Sequence, residues 1–240
     1  MHLLDNPIWN ALNTRQAYFA ESFGPMKRFP PDVSPLGGFE KLDDEAIDAL
    51  RALLGADGTA GLFMPARIDV PAGLEIMIEG ALLQMVMDDQ AKLPAIERPH
   101  DFVELGDADV PEMLALTALT KPGPFVTRTR EMGTYLGIRK GGKLVAMAGE
   151  RLKLPGYTEI SAVCTHPDHL GNGYAGFLMT ILAQQIRARG EVPILHTLPG
   201  NTRAVQLYDR LGFKNRLFQH FAVFRAVSKS SAQAAPSVPK

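Results

Sequence analysis

Residues 157–213 leave this chain little choice of fold. They read as an apolar strand, Tyr157–Thr165, a turn carrying Pro167 and Asp168, the glycines Gly171 and Gly173, and then a helical run from Tyr174 to Arg189. The run has apolar residues at 174, 177, 178, 181, 182 and 186, which form one stripe on a helix of 3.6-residue period. A strand feeding a glycine-rich turn and then a helix start makes an anion site. The first N–H groups of a helix have no internal partner, and the helix dipole is positive there. Glycine lets the main chain approach a phosphate closely. A phosphate or pyrophosphate is therefore expected at residues 170–175.

Gly171, Gly173 and Gly176 also satisfy G-x-G-x-x-G. A dinucleotide site of that kind needs an acid at the end of the second strand to meet a ribose. Here the acid, Glu191, precedes the strand Val192–Thr197, which runs instead into Leu198-Pro199-Gly200-Asn201. Too little chain follows for a doubly wound nucleotide domain, and that reading is rejected.

The stretch from Val163 to Ala175, VCTHPDHLGNGYA, resembles the central strand and pyrophosphate loop of the GNAT superfamily of acyl-CoA N-acyltransferases. The stretch Asn201–Phe213, NTRAVQLYDRLGF, resembles that superfamily's later N-x-x-A-x-x-L-Y-x-x-x-G-F segment, in the right order and at the right separation. One departure is Leu170, where the family's loop usually opens with Arg or Gln.

The resemblance implies an α/β (α+β) fold with a mixed central sheet flanked by helices, and acetyl-CoA as co-substrate. Its binding residues would be Val163 and Thr165 on the strand, Leu170, Gly171, Asn172, Gly173, Tyr174 and Ala175 in the loop, and Asn201 and Tyr208 beyond it. The reaction implied is direct transfer of an acetyl group to an amine in a ternary complex. Tyr208 is the implied acid, since a phenol near the CoA sulfur stays protonated at neutral pH and donates to the departing thiolate. Glu159 is the candidate base, since a carboxylate on an apolar central strand could have a raised pKa; the other reading of Glu159 is a strand-end glutamate paired with an arginine. Glu150 on the neighbouring strand, or a water relay, are the other candidates. Asn201 is either a ligand of the pantetheine arm, a cap for the helix after it, or both. A non-catalytic acyl-CoA-binding protein of the same fold is the alternative to an enzyme.

Strict alternation along the central strand would put Glu159, Ser161 and Val163 on one face and Ile160, Ala162 and Cys164 on the other. Before it, Asp43–Leu54 reads as a helix stopped by Gly55, and Leu74–Met87 as two strands turning at Glu79-Gly80. Thr134–Arg139 and Leu144–Leu152 read as a hairpin about Lys140-Gly141-Gly142-Lys143. The N-terminal 25 residues look helical, with Ile8, Trp9, Leu12, Tyr18 and Phe19 as core candidates. The polar segment 88–100 suggests a boundary, so the expected division is 1–96, 97–227 as the GNAT-like domain, and a disordered tail at 228–240. Relatives of the glycine N-acyltransferase type carry a degenerate first half; an unrelated packing domain is the other reading of 1–96.

With 240 residues, a net charge of −1 and one cysteine, Cys164, the chain offers no electrostatic case for nucleic acid or membrane and no internal disulfide, as expected of a cytoplasmic protein. No apolar run is long enough to span a bilayer, and the start does not read as a signal peptide. His166 and His169 are three apart but have no third ligand nearby, so no metal is expected. The resemblance implies an acceptor site around Leu116–Arg130 together with the N-terminal half; Thr127, Arg128 and Arg130 suit an acidic acceptor unless they are merely solvated. The acceptor's identity and the oligomeric state, a homodimer included, stay open.

Overall fold

The structure is a computed structural model, and it describes residues 2–56, 58–93 and 100–227. In chain order the elements are α1 (Pro7–Asn13), β1 (Glu21–Phe23), β2 (Met26–Arg28), β3 (Leu36–Phe39), α2 (Asp44–Leu54), β4 (Thr59–Met64), β5 (Leu74–Met87) and β6 (Val103–Glu104). They continue with α3 (Val110–Thr120), β7 (Tyr135–Lys140), β8 (Lys143–Leu154), β9 (Tyr157–Thr165), α4 (Tyr174–Ala188), β10 (Val192–Thr197), α5 (Thr202–Arg210) and β11 (Phe213–Ala226). Local chemistry accounts for most of these bounds. Asp43 caps α2 by accepting from the Ala46 N–H, and Gly55 ends it at φ 56°. Gly141 and Gly142, both at positive φ, make the tight turn between β7 and β8.

The eleven strands form one mixed sheet in the order β1-β2-β3-β4-β11-β5-β10-β9-β8-β7-β6. Read from its centre outward, the order is nearly the same in both directions. β3 and β4 are parallel and joined through α2, as β9 and β10 are parallel and joined through α4. Each half then sends its last long strand across: β11 lies antiparallel to β4, and β5 lies antiparallel to β10. β5 and β11 pair with each other along almost their whole length. The expected boundary near residue 97 therefore falls between two segments that share a single sheet.

Three expectations change. Leu74–Met87 is one strand and not two, because Gly80 keeps to the ladder opposite Phe221 and makes no turn. Residues 2–25 form one short α-helix between two 3-10 turns, followed by β1; Ile8, Leu12 and Phe19 are buried, but Tyr18 is 72% exposed. The alternation along β9 fails, because Ala162 takes φ 53° and the register against β8 slips by one residue between Ser161 and Cys164. A bulge of that kind moves every later side chain to the opposite face. Val163 thus joins Ile160 in the core beneath α4, while Ala162 and Cys164 pack towards α3. The tail at 228–240 lies outside the described residues. Among the described residues, no helix is long and apolar enough to cross a membrane.

Candidate active site

β9 and β10 start as neighbours and then part. They pair only where Val192, Pro193 and Ile194 face Tyr157, Thr158 and Glu159. Beyond Ile194 that pairing stops: β10 keeps to β5 along its other edge, Ile194–Thr197 against Leu83–Val86, while β9 stays with β8 as far as Thr165. The β10-facing edge of Ile160–Thr165 is left without a neighbouring strand. The bulge at Ala162 lies in the middle of this free stretch, and Ala162 and Val163 fall between the positions paired with β8.

A cavity of 690 Å³ fills the gap. Its wall includes every residue expected to bind the acyl donor: Val163, Thr165, Leu170, Gly171, Asn172, Gly173, Tyr174, Ala175, Asn201 and Tyr208. At the start of α4, Gly171 and Gly173 sit at φ 82° and 79°, a region that side chains with a Cβ enter only with strain. Gly173 is the N-cap residue and offers no side-chain acceptor, so the first amides of α4 keep their donors for a ligand. The loop is tied down at Asn172, whose Nδ2 donates to the His169 carbonyl at 2.9 Å and whose carbonyl lies 3.1 Å from His100 Nε2. Gly176 has a different use: a Cβ there would meet Leu207 Cδ1 at 3.3 Å, so it lets α4 and α5 approach. Leu170 is half exposed at the loop's opening.

Tyr208 reaches the cavity from α5, and burial pushes its phenol up to about 12. It is therefore protonated at any physiological pH and able to donate. Asn201 caps α5 by accepting from the Ala204 N–H at 3.3 Å, and it also lines the cavity.

Glu159 takes the ion-paired alternative. It is fully buried and is not part of the cavity wall. Arg151 Nε and Nη2 donate to its two oxygens at 2.8 and 2.7 Å, and His196 Nδ1 lies 2.7 Å from Oε1. Burial by itself pushes this carboxyl up and is the largest single influence. Arg151 and His196 together outweigh it and hold the group well below the usual carboxylate range. The expected raised pKa is thus reversed, because the strand brings the carboxylate to two donors that sequence spacing does not reveal.

His196 is equally committed. Gln84 Nε2 lies 3.0 Å from its Nε2 and also donates to the Leu4 carbonyl, while Gln84 Oε1 accepts from Arg216 Nη1. That orientation makes Gln84 the donor to Nε2 and leaves Nδ1–H to donate to Glu159. Arg216 in turn pairs with Asp5. The result is a continuous polar chain, Arg151–Glu159–His196–Gln84–Arg216–Asp5, buried at Arg151, Glu159 and Gln84, partly exposed at Arg216 and Asp5, and meeting the cavity at Arg151 and His196.

Glu150 is also away from the cavity wall, paired with Arg189 at 2.7 Å and Lys153 at 2.9 Å. Cys164 lines the cavity, but burial pushes its thiol up to about 11, which leaves it a poor nucleophile. Arg128 is occupied by Asp32 and Glu131, and Arg130 by Asp107. These arginines fasten their loop and do not face the cavity, which instead takes Thr120–Pro124 from the expected acceptor region. Among the described residues, no group of three or more His, Cys, Asp or Glu is placed to hold a metal. Sequence reading did not pick out which arginine meets Glu159, here Arg151. It expected the N-terminal half to contribute without naming residues; the cavity takes an apolar wall of Leu36, Phe63 and Leu82 from β3, β4 and β5, joined by Phe221 of β11.

Comparison with known proteins agrees with this geometry. The family described as FR47-like protein matches residues 135–222. No curated protein matches the chain. Among solved structures, a GNAT-family protein from Novosphingobium aromaticivorans DSM 12444 is 35% identical and superposes with a TM-score of 0.87, over 95% of this chain and 100% of that one. A GCN5-related N-acetyltransferase from Kribbella flavida shares the fold at 20% identity and a TM-score of 0.57, over 93% of this chain and 94% of that one. With a splayed strand pair, an uncapped glycine loop opening into the splay, and a relative of that identity along nearly its whole length, the chain belongs to the GNAT family of acyltransferases.

Proposed function

We propose that the protein transfers an acetyl group from acetyl-CoA to an amine by direct attack within a ternary complex. The observation that carries this reading is the coincidence, in one cavity, of the uncapped loop, the unpaired edge of β9 and the Tyr208 phenol. The loop amides suit the pyrophosphate. The free main-chain groups from Ile160 to Thr165 suit the amide-rich pantetheine arm. The bulge at Ala162 supplies unpaired main chain where the thioester carbonyl would polarise.

In the transfer, the amine nitrogen attacks the thioester carbon, a C–N bond forms and the C–S bond breaks. Tyr208 protonates the departing thiolate. Of the candidate bases, Glu159 and Glu150 are both held in ion pairs off the cavity wall, which favours a water relay for the amine's proton. Glu159 then acts as a positioning residue, fixing Arg151 and His196.

The N-terminal region, residues 1–96, is read as a degenerate copy of the catalytic unit at 97–227, as in the glycine N-acyltransferase branch. The mirrored strand order supports this. So does the segment after β3, where Glu40, Asp43, Asp44 and Glu45 stand in place of a glycine loop and would repel a phosphate.

Calorimetric titration with acetyl-CoA tests the reading. Saturable binding, with turnover lost in Tyr208→Phe while affinity holds, is the expected result. Binding without any turnover across amine acceptors would leave a non-catalytic acyl-CoA-binding protein. Absence of binding by the folded protein would overturn the proposal.

A further inference from the structure

The charged side chains of the cavity wall are Lys121, Arg151, Arg203 and Arg210, and no Asp or Glu joins them among the described residues. Lys121 ends α3, and Arg203 and Arg210 lie on α5, so these three are open to the phosphates of an acyl donor. Arg151 is of another kind. It is only 6% exposed, and its Nε and Nη2 are both committed to Glu159. Its Nη1 donates to no protein group among the described residues. A guanidinium is planar, so the two bonds to Glu159 fix the direction of the remaining N–H groups. Arg151 is thus a buried, pre-aimed donor with one unused end.

The same cavity has an apolar stretch of wall beside His196. From Arg151 the polar chain leads through Glu159 to His196, whose ring lies 5.0 Å from that of Phe63. Phe63 in turn meets Phe221 at 5.9 Å, and Leu36 and Leu82 extend the same wall. These four side chains come from strands outside the unit that carries the glycine loop, except for Phe221 on the exchanged β11.

Resting on the acyl-transfer reading above, we propose that the acceptor is a small α-amino acid with an apolar side chain. Its carboxylate is held by Arg151 Nη1, its side chain packs on Phe63, Phe221, Leu36 and Leu82, and its amine faces the thioester. A polyamine or a basic peptide does not suit the site. A second ammonium needs a carboxylate on the wall, and Glu159, the acid behind Arg151, is already used by Arg151 and His196. The products are an N-acetyl amino acid and free CoA thiol, with the amine's proton released to water.

The test measures CoA thiol release and product mass with acetyl-CoA and four acceptors: leucine, leucinamide, glycine and spermidine. Leucinamide keeps the side chain and amine but lacks the carboxylate, and its less basic amine works in its favour. Expected is a kcat/KM for leucine about 10- to 100-fold above that for leucinamide, the range of a hydrogen bond to a charged group, with glycine also poorer and spermidine inert. Arg151→Lys keeps a cation against Glu159 but loses the outward nitrogen. It is expected to raise KM for leucine about tenfold while leaving KM for acetyl-CoA unchanged. Leucinamide or spermidine turning over as well as leucine, or an unchanged leucine KM in Arg151→Lys, overturns the proposal. Saturable acetyl-CoA binding with no leucine turnover defeats the acceptor assignment alone. Failure to bind acetyl-CoA defeats the acyl-transfer reading with it.

Discussion

Replacing Glu159 by Ala is the most informative perturbation of this fold. The change strips Arg151 of both carboxylate hydrogen bonds and leaves the His196 Nδ1–H without its acceptor. Arg151 is 6% exposed and Glu159 0%, so bulk water cannot take over. Unpairing a buried ion of this kind costs about 3–5 kcal/mol, against a total stability of about 5–15 kcal/mol for an ordinary domain. The companion variant is Arg151→Met with Glu159→Gln. It removes both charges, roughly keeps the volume and leaves a glutamine oxygen for His196. It should recover to within about 1–2 kcal/mol of the parent, because a buried pair contributes little net stability once its desolvation is counted. Urea denaturation followed through the single tryptophan, Trp9 on α1, reads both. A loss below about 1 kcal/mol in Glu159→Ala, or a double variant no better than the single, would refute the account of a charge that matters chiefly because its partner is buried. The same pair sets an acid limit. The folded pKa of Glu159 is depressed below the 4.5 of an unfolded glutamate. Its contribution is therefore fully present above that value and is lost as pH falls through the folded one. The parent should lose stability on acidification below pH 4.5, and the double variant should lose less.

Further outcomes follow from other parts of the structure. Gly173→Val forces a branched side chain to φ 79° with open space around it, so its cost is conformational, about 1–2 kcal/mol; acetyl-CoA affinity by calorimetry should fall about tenfold, and unchanged affinity would count against the loop as the donor's anchor. Tyr208→Phe should lower kcat by about 100-fold, in the range of general acid catalysis, with acetyl-CoA affinity intact. In the parent no alkaline loss assignable to Tyr208 should appear until pH approaches about 12. Gly149→Ala drives a Cβ into the Tyr135 ring, so the ring must move; urea denaturation should show a loss of about 1–3 kcal/mol.

The local features were legible where residue type alone constrains the backbone. Gly171 and Gly173 occupy positive φ and stand before a helix, as their order in the chain implies. The Gly141-Gly142 turn and the Asp43 cap were equally readable, since each depends on neighbours within a few residues. Glu159 shows where such reading stops. Its position on the strand was correct, but the direction of its pKa shift depends on Arg151 and His196, eight and 37 residues away. Ala162 carries no signal of a bulge, because alanine tolerates both the regular strand and, at a cost, the left-handed region.

What the sequence determined by itself is the half of the cavity built from contiguous chain: strand, glycine loop, helix start, and the helix bearing Asn201 and Tyr208. These depend on short-range sterics and hydrogen bonding, which residue identity sets directly. The tertiary structure alone decided the other half. β10 keeps to β5 on one edge through Thr197 but leaves β9 on its other edge after Ile194, and this divergence opens the cleft, while the packing of β8 and β10 around β9 buries Glu159 against Arg151 and His196, and β3, β4, β5 and β11 bring Leu36, Phe63, Leu82 and Phe221 to the cavity wall. Strand exchange between distant segments leaves no periodic mark in either of them, since an apolar strand such as Leu74–Met87 presents the same pattern to whichever neighbour it finds.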